Sequence, residues 1–284
     1  MILLGIITIG TYVPWLAWID WICGLDAKLE KTAKDFDVLM EKVVQDHEAG
    51  DGHGNDFADV LLSLQKDKSI GFEINRSSIK AILLDAFVGG SDTSSTLLEW
   101  ELTELLRHPE CLKKIQEEVR TICKGKSSVS EDDLQDMIYL KAVVKETLRL
   151  HPPVPLMVPH KLIEDIKLGD QNVPAGSLAI INLWTIGREV ATWGPDAEEF
   201  KPERHLTSSA DYRGQDFELI PFGSGRRMCP GISFAEVLNE VALANLIHGF
   251  DWQATEDLQA DIAESVGTVI RREFPLYVIA SPTT

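Results

Sequence analysis

One cysteine on a glycine-rich loop, placed just before a helix, constrains this chain more than any other feature. The stretch is Phe222-Gly223-Ser224-Gly225-Arg226-Arg227-Met228-Cys229-Pro230-Gly231. Two glycines ahead of the cysteine permit positive φ without a Cβ penalty and let the backbone pass close to a flat group. The arginines and the N-terminus of the following helix favour a thiolate over a thiol. The competing reading is a buried free cysteine behind a turn, the usual state of an intracellular Cys.

The chain has 284 residues, 44% hydrophobic and 25% charged, which suits one large or two medium globular domains with a sizeable core. Its net charge of −18 argues against a nucleic-acid partner, which would want a basic patch. Cys23, Cys111, Cys123 and Cys229 show no C-x-x-C spacing, so neither a zinc site nor a disulfide scaffold is indicated. A reducing, cytosol-facing location fits best. Residues 1–19 carry no charge and approach the length of a membrane span. No Lys or Arg precedes them as a signal peptide requires, and Gly5, Gly10 and Pro14 disfavour a continuous helix. Tyr12, Trp15, Trp18 and Trp21 read instead as a surface that touches lipid headgroups, so residues 12–21 are the expected membrane contact.

Apolar periodicity predicts helices over 25–44, 57–64, 77–107, 109–124, 139–150 and 232–248, with serines capping the 77–107 helix. Residues 45–56 read as a polar loop whose His47 and His53 are solvated rather than metal ligands. An extended Pro-rich stretch follows from His151 to Pro159, and strands are expected at 161–168, 177–181 and 276–280. The fold class is therefore mainly α with small β-sheets, in a single domain over residues 1–284.

Gly89-Gly90-Ser91-Asp92-Thr93-Ser94 lies in the middle of the long helical pattern, where each glycine costs about 1 kcal/mol relative to alanine. Either two ordinary helices break here, or a gap in the helix wall admits a diatomic ligand beside groups able to relay protons. Glu146 and Arg149, three residues apart, read on spacing alone as a helix ion pair.

Phe222, Gly225, Arg227, Cys229 and Gly231 fill the pattern F-x-x-G-x-R-x-C-x-G, which chance would produce in about one chain in ten thousand or fewer. The chain thereby resembles the cytochromes P-450, a family of haem-thiolate monooxygenases. The segment 89–93 resembles their [A/G]-G-x-[D/E]-T groove, and Glu146, Arg149 and Arg204 resemble the E-x-x-R and P-E-R-F elements, with His205 in place of the usual Phe. His151-Pro152-Pro153 and Pro221 to Arg227 resemble the plant microsomal group. The resemblance implies that Cys229 is the proximal iron ligand of haem b, with Phe222, Gly225, Arg227 and Gly231 shaping its loop and His160 approaching a propionate. It implies that Asp92 and Thr93 deliver protons, and that Glu146, Arg149 and Arg204 form a buried network beneath the haem. Phe87, Gly89, Gly90, Leu156, Met157 and Val266, the last in the turn from Glu264 to Thr268, would line an apolar substrate pocket.

The implied activity is insertion of one oxygen atom from O2 into a small apolar, secondary-metabolite-like substrate. Electrons would come from NADPH only through a flavoprotein reductase, at the cytosolic face of the endoplasmic reticulum membrane. The length and the likeness of residues 11–16 to an internal segment of the family lead to the expectation that the N-terminal half, with the usual anchor, is absent. The alternative function is then a catalytically incompetent fragment or an interaction module.

Overall fold

The protein is described by a computed structural model over residues 9–50, 56–67, 69, 71–255, 262–265 and 267–283. Its chain divides into two compact units, Met1–Ser91 and Asp92–Thr284.

The first unit begins with α1 (Ile9–Tyr12), a 3-10 turn at Pro14–Leu16 and α2 (Ala17–Ile22). These short pieces replace a continuous helix, as the glycine and proline spacing requires, and no described helix is long and apolar enough to cross a membrane. Trp15, Trp18 and Trp21 are 78%, 57% and 71% exposed, which leaves an aromatic surface unburied within the chain. Helix α3 (Leu25–Glu48) runs four residues past the expected end. This removes His47 from the polar loop: its Nδ1 lies 2.7 Å from the Val43 carbonyl and its Nε2 2.8 Å from Asp56 Oδ2. His53 lies outside the described residues. Asp56 caps α4 (Phe57–Lys66) through a reciprocal capping box with Asp59. Val44, Leu61, Leu62, Ile74 and Ile79 form the small core of this unit.

Helix α5 (Arg76–Arg107) is one unbroken element of 32 residues, so the glycine pair at 89–90 does not divide it. Its start is capped by Asn75, whose Oδ1 accepts from Ser78 N at 2.8 Å, rather than by a serine. Arg76 bridges Glu41 and Glu48 of α3, and Lys80 bridges Asp37 and Glu41, fastening the first turns of α5 to that helix.

The second unit packs the remainder of α5 with α6 (Pro109–Ile122), α7 (Ile138–Leu150) and the C-terminal α11 (Ile232–Gly249). Leu105, Ile115, Leu140, Val143, Leu243 and Ile247 are fully buried at their contacts. Single turns α8 (Leu183–Ile186), α9 (Val190–Trp193) and α10 (Arg204–Thr207) lie in the connection to α11. They are too short to carry the periodicity from which longer helices are read.

Among the described residues, three two-stranded antiparallel sheets complete the unit. The expected strand 161–168 is two pieces, β1 (His160–Lys161) and β2 (Ile166–Leu168), while β3 (Gln171–Val173) was not anticipated. β4 (Leu178–Ala179) pairs with β1, and β2 pairs with β3. β5 (Phe250–Ala254) pairs with β6 (Val278–Pro282), bringing Trp252 opposite Ala280. The architecture is thus mainly α with small antiparallel sheets.

Candidate functional site

The cysteine loop is shaped by two backbone positions that other residues rarely adopt. Gly223 and Gly225 have φ of 80° and 73°, and a Cβ at Gly225 would meet nothing within 4 Å. The Gly225 conformation therefore leaves open space above the loop rather than relieving an internal clash. Cys229 is a free, exposed cysteine. Its N–H donates to Phe222 O at 2.9 Å, closing the loop, and its Sγ accepts from Gly231 N at 3.4 Å. Phe222 packs into the core and tilts against Tyr212 at 5.6 Å, while Arg226 and Arg227 are exposed on a 3-10 turn. Helix α11 starts after Gly231 with no side-chain cap, so its positive end lies directly beyond the cysteine.

Helix α7 supplies a buried carboxylate. Glu146 accepts from Arg149 Nη2 at 2.7 Å and Nε at 2.8 Å, from Arg204 Nε at 2.9 Å, and from the Lys201 backbone N at 2.8 Å. His205 Nε2 adds a bond at 2.9 Å. Burial pushes this carboxyl up, but Arg149 and His205 outweigh it and hold the group at about 2. Arg149 also donates to the carbonyls of Gly187, Ala197 and Glu199, tying α7 to the chain that enters the cysteine loop. The family pattern gives His205 only as a replacement for Phe; its membership of this network is not legible in the sequence, because which side chain reaches Glu146 depends on the fold of the 197–205 connection.

With that geometry in view, the sequence profile of the Cytochrome P450 family matches residues 9–278. The chain belongs to the cytochrome P450 family. It is similar to cytochrome P450 71A23 of Arabidopsis thaliana, with 73% identity over 281 residues, which cover 99% of this chain and 58% of that relative. Cytochromes P450 71A26 and 71A22 of the same plant are 68% and 65% identical over the same shares. The chain spans about 58% of the length of these curated relatives.

A cytochrome P450 loop must present one sulfur to haem iron with the ring close over the backbone. Three observations fit: the open space at Gly225, the exposed unpaired Cys229, and the Gly231 N–H directed at Sγ. Other expected site residues are placed as follows. Met157, half-buried, holds the only positive φ among described non-glycine residues, 52°, and its Cε lies 3.1 Å from the position a Cβ would take at Gly223. The extended stretch and the cysteine loop therefore meet. Leu156 is 52% exposed, and His160 is half-buried in β1 opposite Ala179.

On α5, Phe87 is 52% exposed, and a Cβ at Gly89 would meet nothing within 4 Å, so packing inside the chain does not explain that glycine. Gly90 and Thr93 are half-buried. Asp92 is paired, because Arg271 donates to its Oδ1. Nothing in the sequence pattern pointed to this partner, 179 residues away. Val266 lies outside the described residues. A concavity of about 520 Å³ on α6 is lined by Lys113, Gln116, Glu117, Arg120, Thr121 and Lys124, a charged surface unlike an apolar substrate site.

Proposed function

We propose that this chain carries the thiolate side of a haem monooxygenase acting on a small apolar molecule, with Cys229 as the axial ligand. The observation that carries the reading is the cysteine loop, in which the exposed Cys229 accepts a backbone N–H at its sulfur and Gly225 leaves open space beside the backbone. When bound, the haem supplies O2 activation and transfer of one oxygen atom to the substrate.

The residues divide the remaining work. The Gly231 N–H and the start of α11 stabilise negative charge at Sγ. Phe222 anchors the loop to the core, Gly225 leaves its backbone uncovered, Gly231 directs its N–H at the sulfur, Arg227 completes the loop, and His160 offers an N–H for a propionate group. The Glu146, Arg149 and Arg204 network holds the connection from Gly187 to Arg204 to α7 without itself touching substrate. Asp92 takes protons from water and passes them inward through the Thr93 hydroxyl. Phe87, Leu156, Met157 and Val266 offer apolar surface, with Gly89 and Gly90 allowing close approach to α5.

Electrons are assigned to NADPH through a flavoprotein reductase, and the working location to the cytosolic face of the endoplasmic reticulum, where Trp15, Trp18 and Trp21 would lie at the headgroups. Residues 1–284 are read as part of one family domain, supported by the profile match across 9–278. The test is the absorption spectrum of the haem-supplemented, reduced, carbon monoxide-bound protein. A thiolate-type Soret band that vanishes in Cys229→Ala supports the reading; no haem uptake by the wild-type chain sinks it for this chain and favours the non-catalytic alternative.

A further inference from the structure

Helix α3 carries His47 in its last turn, with the side chain 15% exposed and directed at the start of α4. Its Nδ1 lies 2.7 Å from the Val43 carbonyl, which can only accept, so Nδ1 holds the ring hydrogen of the neutral imidazole. The lone pair on Nε2 is thereby aimed at Asp56 Oδ2, 2.8 Å away. A lone pair and a carboxylate oxygen facing each other at that separation need a positive centre between them. A second proton is one such centre, and the Asp56 carboxylate accordingly pulls the His47 pKa above its ordinary value, with the Val43 bond adding to the effect. Asp56 uses its two oxygens differently. Oδ1 caps α4, accepting from Ala58 N at 2.9 Å and Asp59 N at 3.0 Å, which leaves Oδ2 to His47. Asp59 brings a second carboxylate, which accepts from Asp56 N in a long bond of 3.4 Å. His47 Nε2 and one oxygen from each carboxylate all lie within 4.8 Å of one another.

We propose that His47, Asp56 and Asp59 form a zinc site that staples the end of α3 to the start of α4, the metal ion taking the place of the proton on His47 Nε2. Ligand chemistry selects the ion. Magnesium and calcium take oxygen ligands, whereas one imidazole nitrogen with two carboxylate oxygens suits zinc, and water completes the tetrahedron. The Val43 carbonyl on Nδ1 is the outer partner that fixes the ring of a zinc-bound histidine. Zinc bonds of about 2.1 Å place two ligands about 3.4 Å apart. The His47 and Asp56 atoms must therefore separate slightly and Asp59 close in, which side-chain rotation at the exposed Asp56 and half-exposed Asp59 supplies. Charge also favours a cation. The start of α4 carries about half a positive charge, but the end of α3 carries about half a negative one, and two full carboxylates are added to it. The site belongs entirely to the unit Met1–Ser91 and has no residue in common with the cysteine loop.

The test is calorimetric titration of zinc ions into the chelator-treated full chain and into His47→Ala, Asp56→Asn and Asp59→Asn. Asparagine caps a helix as well as aspartate does, so the two Asn variants remove a charged ligand while keeping the start of α4. Zinc held elsewhere, Cys229 included, is common to all four proteins and subtracts out. Wild type should bind one zinc ion more than His47→Ala does. Each Asn variant should weaken that site by more than the roughly 10- to 100-fold that loss of an outer partner costs. Millimolar magnesium should leave zinc binding at this site unchanged. Equal zinc binding by wild type and His47→Ala overturns the proposal and leaves His47 and Asp56 as a plain ion pair. Unchanged affinity in Asp59→Asn, whose fold circular dichroism verifies, overturns the three-ligand site even where His47→Ala fails to fold. Displacement of the zinc by magnesium overturns the imidazole ligation.

Discussion

His205 Nε2 donates to Glu146 Oε2 at 2.9 Å, while the His205 Nδ1 is buried with no hydrogen-bond partner. The imidazole thus strengthens a carboxylate that four other donor contacts already hold, and carries an unsatisfied polar atom in the same ring. Its face tilts against Trp193 at 5.9 Å, a contact any planar aromatic ring would keep.

His205→Phe is therefore expected to be close to neutral, within about 1 kcal/mol in urea unfolding. One charge-assisted bond is lost and one buried unpaired nitrogen removed, and the two roughly offset. His205→Ala, which also opens a cavity, should cost about 2–4 kcal/mol.

Glu146→Gln should cost more, about 3–5 kcal/mol. The amide cannot neutralise the buried Arg149 or the largely buried Arg204, and an uncompensated buried charge is far more costly than a lost hydrogen bond. Thermal unfolding with and without haem measures this; a loss below 1 kcal/mol would mean the network is dispensable to folding.

Glu101 is fully buried on α5, and neither carboxyl oxygen has a hydrogen-bond partner. Burial, reinforced by Glu240, pushes its pKa well above the ordinary range. Glu101→Leu should stabilise the protein by about 1–3 kcal/mol at neutral pH, because replacing an unpaired buried polar group removes its desolvation cost. A fall in melting temperature would contradict this.

Stability should peak on the acid side of neutrality, near pH 5. Burial raises Glu240 to about 7, so the folded state holds a proton the unfolded chain releases near 4.5, and stability declines as pH rises from 4.5 through 7. Glu146, held at about 2, acts oppositely: its contribution is present above 4.5 and is lost as pH falls toward 2. Glu104 adds to the acid loss, since its bonds to His108 and His151 outweigh burial and lower it. Melting temperature against pH locates the maximum, and Glu240→Gln should flatten the decline above pH 5.

Gly187 and Gly225 separate folding from cofactor binding. A Cβ at Gly187 would lie 2.1 Å from the Arg149 carbonyl oxygen, so Gly187→Ala should prevent normal packing of α7 and cost upwards of about 3 kcal/mol. Gly225→Ala meets no atom and only strains a φ of 73°, costing about 1–2 kcal/mol. If haem lies over that loop, its affinity should fall far more than this loss of stability accounts for. Haem titration at a temperature where both proteins are folded decides the point.

Part of the helical frame was legible because α6 buries one face, with Cys111, Ile115 and Val119 at helical spacing, and such burial imposes a period that the residues carry openly; α7, buried nearly all round, was legible instead as a long run of apolar and helix-forming residues. The strands were less legible. Pieces of two or three residues such as β1 and β3 contain too few positions for alternation, and their pairing depends on a partner elsewhere in the chain. The end of α3 was misplaced because Gln45 to Glu48 are polar, and polar residues continue an exposed helix as readily as they start a loop.

The cysteine loop and the glycine pair were determined by the sequence itself, because their chemistry depends on residue type at fixed short spacing: a sulfur, backbone freedom, and a helix start within ten residues. Long-range partnership was decided by the tertiary structure alone. Whether His205 packs or bonds, whether Asp92 is free or held by Arg271, and which carboxyl is stabilised and which is stranded depend on what the fold brings within hydrogen-bond reach. A charge has no direction along a sequence; burial and the neighbours that share it set its energy.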